Sequence, residues 1–158
     1  MSLEKVKSYF EQQGMESKVK VLQQSTATVE QAAEAIGCRP QRIAKTMSFL
    51  LNDGAILIVT AGDAKVDNKK FKSTFEQKAK MIAGDMVEQY IGHKPGGVCP
   101  FAINPEVKVY LDVSLKRFDI VYPAAGSSQS AVELTIEELE HHSGSKEWVD
   151  VCNVIVQE

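Results

Sequence analysis

Three cysteines in 158 residues, Cys38, Cys99 and Cys152, are too few and too scattered for a disulfide framework, and none belongs to a CxxC pair. An odd count at these spacings offers no zinc-ligand pattern and fits reduced thiols in a cytosolic chain. Long apolar runs are also missing. The longest strongly apolar stretch, Ala55 to Ala61, falls far short of the roughly 20 residues a membrane helix requires. No apolar segment follows the charged start Met1-Ser-Leu-Glu-Lys-Val-Lys7, so no signal peptide is expected. Positive charge is in short supply: 18 basic against 21 acidic residues leave a formal charge of −3. That balance disfavours extensive non-specific nucleic-acid binding, which draws on counterion release from many phosphates, but it permits recognition of one nucleic-acid end. HExxH, P-loop, GxSxG and GxGxxG patterns are absent, as are repeats, low-complexity tracts and linkers. These absences lead to the expectation of one cytoplasmic domain over residues 1–158, with no membrane partner, metal or cofactor.

What is present is an ordinary globular composition, 44% apolar and 25% charged. A domain of this size buries roughly 70% of its unfolded surface and needs no staple to make a core. Leu3, Val6 and Phe10 share a helical face, with Gly14 as a stop. Thr28-Val-Glu-Gln31 is a capping-box pattern opening a second helix through Ala32, Ala33, Ala35 and Ile36 to Gly37. Pro40 suits the first turn of a further short helix through Ile43 and Ala44. Met47–Leu51 and Ala55–Ala61 read as strands joined at Asn52-Asp53-Gly54, a hairpin signal.

Asp67–Phe75 is predicted as a basic, exposed helix, and Asp85 opens another that Gly92 ends. Val107, Val109, Leu111 and Val113 alternate with Lys108, Tyr110 and Asp112, as in a half-buried strand. Phe118–Tyr122 and Ala131–Leu134 are further strands, and Thr135-Ile-Glu-Glu138 is a capping box for a last helix ending near Gly144. Trp148–Val156 fits a strand or a short helix. Hairpins interrupted by helices, without regular βαβ alternation, predict an α+β domain around a mixed, mostly antiparallel sheet.

The segment Gly92-His-Lys-Pro-Gly-Gly-Val-Cys-Pro-Phe101 stands out chemically. Adjacent glycines between prolines allow a sharp turn, and their bare amides can approach a ligand or a developing oxyanion. A tight connection without a ligand is the plain alternative. Lys45, directly before an apolar strand, either snorkels to solvent or supplies a cation to a phosphate or carbonyl, with Thr46 adding a hydroxyl. Cys99 as a nucleophile would need an activating base, and His93, six residues away in a loop, gives no fixed geometry. His141-His142 suit a helix C-terminus better than a metal. Lys69-Lys70-Phe71-Lys72 is a solvated face, or a phosphate-contacting patch if tRNA is the partner.

Taken in order, Ile43-Ala44-Lys45-Thr46, Val59-Thr-Ala-Gly62, Asp67-x-Lys69-Lys70, Gly92-x-x-Pro-Gly-Gly-Val-Cys-Pro-Phe101 and Ala124-Ala125-Gly126 resemble the YbaK/prolyl-tRNA editing family from about Ser25 to Leu139. The resemblance implies a compact α+β editing domain related to the editing insertion of bacterial prolyl-tRNA synthetase. It implies a hydrolase that deacylates mischarged tRNA, most simply tRNA(Pro) carrying a small wrong amino acid. It also implies the aminoacylated tRNA 3′ end as partner, with prolyl-tRNA synthetase as a candidate second one. Carried over by position, Lys45 is the family's functional lysine. Thr46, Gly62, Gly96, Gly97, Val98, Cys99 and Pro100 become substrate-binding positions, with Cys99 lining the pocket, and Gly126 closes its opposite side. The chain departs from the family in two places. Many members have Ser at Cys99, and the Cys-tRNA(Pro)-specific branch has Gly-x-Arg-Gly-x-Asp where this chain reads Gly126-Ser-Ser-Gln-Ser-Ala131. A non-catalytic module that holds tRNA ends or a synthetase is the rival reading, and a small-molecule hydrolase using the same loop is a third.

Overall fold

A computed structural model describes residues 2–145 and 147–154. Its centre is the hairpin of β2 (Ile43–Leu51) and β3 (Gly54–Ala61), paired antiparallel from Ala44↔Ala61 to Leu51↔Gly54, with Asn52 and Asp53 at the tip. Leu57, Ile58 and Val59 of β3 are wholly buried. A continuous apolar run of this kind is what a strand covered on both faces requires. Removing each such side chain from water stabilises the fold by about 1.5–3 kcal/mol.

The remaining strands are β1 (Val19–Val21), β4 (Ala64–Val66), β5 (Lys108–Asp112), β6 (Ile120–Pro123), β7 (Ser130–Val132), β8 (Leu134–Thr135), β9 (Glu147–Val149) and β10 (Cys152–Val154). Four of them flank the hairpin in one six-stranded sheet of order β8-β6-β2-β3-β5-β9, while β1–β7 and β4–β10 make two small ladders among the described residues. β2 runs parallel to β6, β3 to β5 and β5 to β9; the other ladders are antiparallel. The sheet is therefore mixed, and antiparallel pairing prevails over the described residues.

Among the described residues five α-helices surround it: α1 (Ser2–Gln12), α2 (Val29–Ile36), α3 (Asn68–Phe75), α4 (Val87–Ile91) and α5 (Ile136–Ser143). α3 begins on Asp67, whose carboxylate accepts from the Lys69 and Lys70 amides. It lays Phe71 against Phe49 and Phe75 against Tyr110, at centroid distances of 5.0 and 5.1 Å. α1 buries Val6 and Phe10, and the Phe10 ring meets Phe101 edge-on at 5.0 Å. The loop preceding Phe101 is thus pinned to the core from below. α5 starts with the full Thr135–Glu138 capping box and stops at left-handed Gly144. At α2 only half of the expected box forms: Thr28 accepts from the Gln31 amide, and the Gln31 side chain instead meets Ser25.

Several local expectations need correction. Ile43 and Ala44 do not extend a helix; the 3-10 turn is confined to Pro40–Arg42. β-branched Ile43 is already extended and pairs with Tyr122 of β6, a long-range partner that the local pattern does not reveal. Val113 leaves the strand for a 3-10 turn (Val113–Arg117) and is exposed. Asp112 is buried, although its place in the alternation puts it outward, because its two oxygens accept from the Ser114 and Val151 amides. The C-terminal segment is two strands, β9 and β10; its residues 155 and 156 lie outside the described residues. Among the described residues no helix is long and apolar enough to cross a membrane.

Candidate active site

β2 and β6 pair only at Ile43↔Tyr122 and Ala44↔Pro123, after which the two strands diverge. Further along, the freed edge of β2 is taken up by the segment around Met81: the Ile82 amide donates to the Ser48 carbonyl, and the Leu50 amide donates to the Lys80 carbonyl. Backbone groups alternate sides every residue along a strand, so the Thr46 N–H and C=O face the same edge, in the gap between those two anchorages. A cleft of about 570 Å³ opens there, within the range of small-molecule sites.

One wall is the start of α2 and the residues before it, Thr26 to Val29. The Gly-rich loop supplies another through Pro95, Gly96 and Val98, and Met81, Ile82, Tyr122 and Ser130 complete the rim. Lys45 and Thr46 stand on the floor. Alternation sends their side chains to opposite faces of β2, and both residues line the cleft where it opens at the strand's edge. The Thr46 hydroxyl is buried without a hydrogen-bond partner.

Electrostatically the cleft is almost featureless. Lys45 is the only charged side chain among its described lining residues, and no His, Asp, Glu or Cys accompanies it. Burial pushes the Lys45 ammonium below its usual pKa of 10.5, and the opposing pull of Cys152, Asp63 and Glu30 only partly offsets that. A half-buried cation next to an unpaired strand edge is suited to an anionic or polarised oxygen, because low local polarity strengthens that attraction. With no carboxylate, imidazole or thiol among the described lining residues, the arrangement favours chemistry in which the protein positions and polarises rather than attacks. Among the described residues no three His, Cys, Asp or Glu side chains gather into a metal-binding group.

The other sequence-singled positions divide into two groups. Gly96 and Val98 line the cleft with Lys45 and Thr46; Gly62, Gly97, Cys99, Pro100 and Gly126 do not. Gly62 packs against α2 and the turn before β2, where a Cβ would stand 2.0 Å from the Pro40 carbonyl oxygen. Gly97 and Gly126 touch each other behind the loop: a Cβ on Gly97 would meet the Gly126 carbonyl carbon at 2.7 Å. Gly126, at φ +92°, also lies under the first residues of α1. These glycines hold the loop's shape from outside the cleft.

Cys99 does not line the cleft. Its thiol is wholly buried, 3.5 Å from His93 Nε2 and 3.8 Å from the Phe101 carbonyl oxygen. Burial pushes the thiol up to about 12, so at neutral pH it is not a thiolate. His93 is spent on the Phe101 carbonyl at 2.6 Å, which ties the two ends of the loop together. Of the cleft residues not expected at the site, Thr28 and Val29 belong to the α2 capping pattern, whereas Thr26, Ala27, Met47, Met81 and Tyr122 carry no motif. Met81, strongly exposed for an apolar side chain, is the one that burial marks as unusual.

Comparison with known proteins adds an independent line. The model of the aminoacyl-tRNA editing domain family matches residues 23–141. The uncharacterized protein YwhH of Bacillus subtilis is 54% identical over 96% of this chain and 98% of its own length. The proline–tRNA ligase of Bacillus licheniformis is 26% identical over 74% of this chain, which spans only 21% of that enzyme. A crystal structure described provisionally as a trans-editing enzyme for prolyl tRNA synthetase superposes with a TM-score of 0.86 at 27% identity, covering 96% of this chain and 97% of the other.

Proposed function

Since the chain belongs to the aminoacyl-tRNA editing domain family, we propose that it acts as a freestanding deacylase, cleaving the ester between a wrong, small amino acid and the 3′ end of tRNA(Pro). The observation that carries this reading is the lone half-buried Lys45 in a neutral cleft with an open strand edge.

Ester hydrolysis needs a water aligned on the carbonyl and stabilisation of the oxyanion that forms. In the proposed complex the aminoacyl group lies along β2, with the Thr46 peptide and the backbone of Gly96 and Val98 available to its polar atoms. The Lys45 ammonium stabilises negative charge on the ester oxygen or the terminal phosphate. No carboxylate, imidazole or thiol lines the cleft among the described residues, so a ribose hydroxyl of the substrate orients the attacking water. Water adds to the carbonyl, the ester C–O bond breaks, and the ribose oxygen leaves with a proton. The products are free amino acid and uncharged tRNA.

Such a second site is useful because a synthetase pocket rejects a slightly smaller side chain by only about 1–3 kcal/mol. Single-turnover assays with Ala-, Cys- and Ser-charged tRNA(Pro) test the proposal. Accelerated release of at least one amino acid is expected. Retention of every charged tRNA without hydrolysis would replace the deacylase with a tRNA-end binding module.

A further inference from the structure

The chain contains three arginines, Arg39, Arg42 and Arg117, and the fold gathers them around Phe118. The guanidinium carbons of Arg42 and Arg117 stand 5.4 and 4.7 Å from the centroid of the Phe118 ring. Arg39, Arg42 and Phe118 border an open depression that ends at Tyr122. Tyr122 is also a wall of the catalytic cleft, so the depression and the cleft are neighbouring parts of one surface.

The three guanidinium groups are not equally committed to the fold. Arg117 is clamped by both oxygens of Asp63, at 3.0 and 2.5 Å, and by the Ser114 carbonyl. It fixes Phe118 from one direction. Arg42 spends only Nη1, on Asp119 at 3.0 Å and the Ile120 carbonyl at 3.1 Å. Its Nε and Nη2 have no partner among the described residues. The Arg39 side chain is exposed and makes no hydrogen bond or ion pair among the described residues. Planar, weakly hydrated guanidinium groups held in place beside an aromatic ring are well suited to phosphate. In a chain of net charge −3, such a patch provides local attraction without general affinity for nucleic acid.

The lysine run of α3 is the competing basic surface. Lys70 is already occupied by Asp150 and the Cys152 carbonyl, and no α3 residue lines the cleft. We infer that Arg39 and Arg42, seated beside Phe118, form the docking surface for the sugar-phosphate backbone of the tRNA acceptor end, which enters the cleft past Tyr122. This rests on the deacylase reading for the identity of the RNA, but its test needs no hydrolysis.

The probe is an uncharged tRNA(Pro) acceptor-stem hairpin ending in CCA, titrated by fluorescence anisotropy against the intact protein over a range of salt. Arg39→Glu removes no internal bond and serves as the primary variant; Arg42→Lys keeps the charge but loses the planar fork. Arg39→Glu is expected to weaken binding at least about tenfold and to flatten the salt slope by about one unit. Arg42→Lys is expected to weaken it by a smaller factor, and Lys72→Glu on α3 to change it less than twofold. With charged tRNA, the Arg39→Glu loss falls on KM rather than kcat. Equal affinity of the wild type and Arg39→Glu, or a larger loss in Lys72→Glu, overturns the assignment. Loss of binding to a synthetase with RNA affinity intact overturns it as well, by making the patch a protein contact. If the hairpin binds as expected yet no ester is cleaved, the deacylase reading fails and the docking surface stands.

Discussion

Adding one methyl group at Gly97 would place a Cβ 2.7 Å from both the Gly126 carbonyl carbon and the Ser127 amide nitrogen. Both are backbone atoms, so no rotamer change relieves the contact. Either the Pro95–Val98 turn or the Gly126–Ser127 segment must move. Overpacking of this kind costs about 1–3 kcal/mol. For a domain of this size each kcal/mol lowers Tm by about 2–4 °C, giving an expected fall of roughly 2–12 °C for Gly97→Ala. The displaced segment includes Gly96 and Val98 of the cleft wall, so the folded fraction should also deacylate more slowly, by up to about a hundredfold if the backbone shifts near 1 Å. Gly96→Ala is the contrasting variant. Its Cβ would have room, 3.5 Å from the Ser128 Cβ, but its φ of +90° disfavours any side chain, at about 1–2 kcal/mol. Calorimetry and single-turnover hydrolysis on the same preparations separate the two effects. A Gly97→Ala protein with unchanged Tm and unchanged rates would refute the close-packed account of the loop.

Three further outcomes follow from particular residues. Burial lowers the Lys45 pKa, so its proton leaves at a lower pH than an ordinary lysine's; the rate advantage of wild type over Lys45→Ala should shrink as pH rises toward 10.5, and an advantage constant across that range would contradict a cationic role. Cys99→Ser should keep deacylation within about threefold, since the buried thiol is held protonated with a pKa of about 12, and a trapped aminoacyl thioester on Cys99 would show otherwise. Thr135→Ala removes the hydroxyl half of the α5 capping box, leaves the residue-135 amide donating to Glu138, and should cost about 1 kcal/mol, seen as a Tm lower by about 2–4 °C with kcat unchanged.

The parts of this molecule legible in the sequence are those set by neighbours along the chain. Asn52-Asp53-Gly54 encodes its own hairpin, Thr135 and Glu138 their own cap, and the apolar run of β3 its burial on both faces. The ordered motifs around Lys45, Gly96 and Gly126 likewise gave the family. What remained hidden depends on distant partners. Ile43 is a strand residue only because Tyr122 lies beside it, and Asp112 turns inward only because the Val151 amide arrives there. The same reasoning explains Cys99: the family resemblance implies a pocket-lining position, while His93 and Phe101 hold the sulfur in the core. The cleft itself arises where β2 and β6 part company, and no local pattern in either strand announces that gap.

The most direct test of the site is the single-turnover deacylation rate of Lys45→Ala beside wild type, on the best of the Ala-, Cys- and Ser-tRNA(Pro) substrates at neutral pH. Lys45 is the only charged side chain among the described residues lining the cleft, so its loss should slow hydrolysis at least about tenfold, or roughly 1.4 kcal/mol of transition-state stabilisation. Tm should change little, because the side chain makes no hydrogen bond or ion pair within the described fold. A folded Lys45→Ala protein that cleaves the ester as fast as wild type would contradict the account.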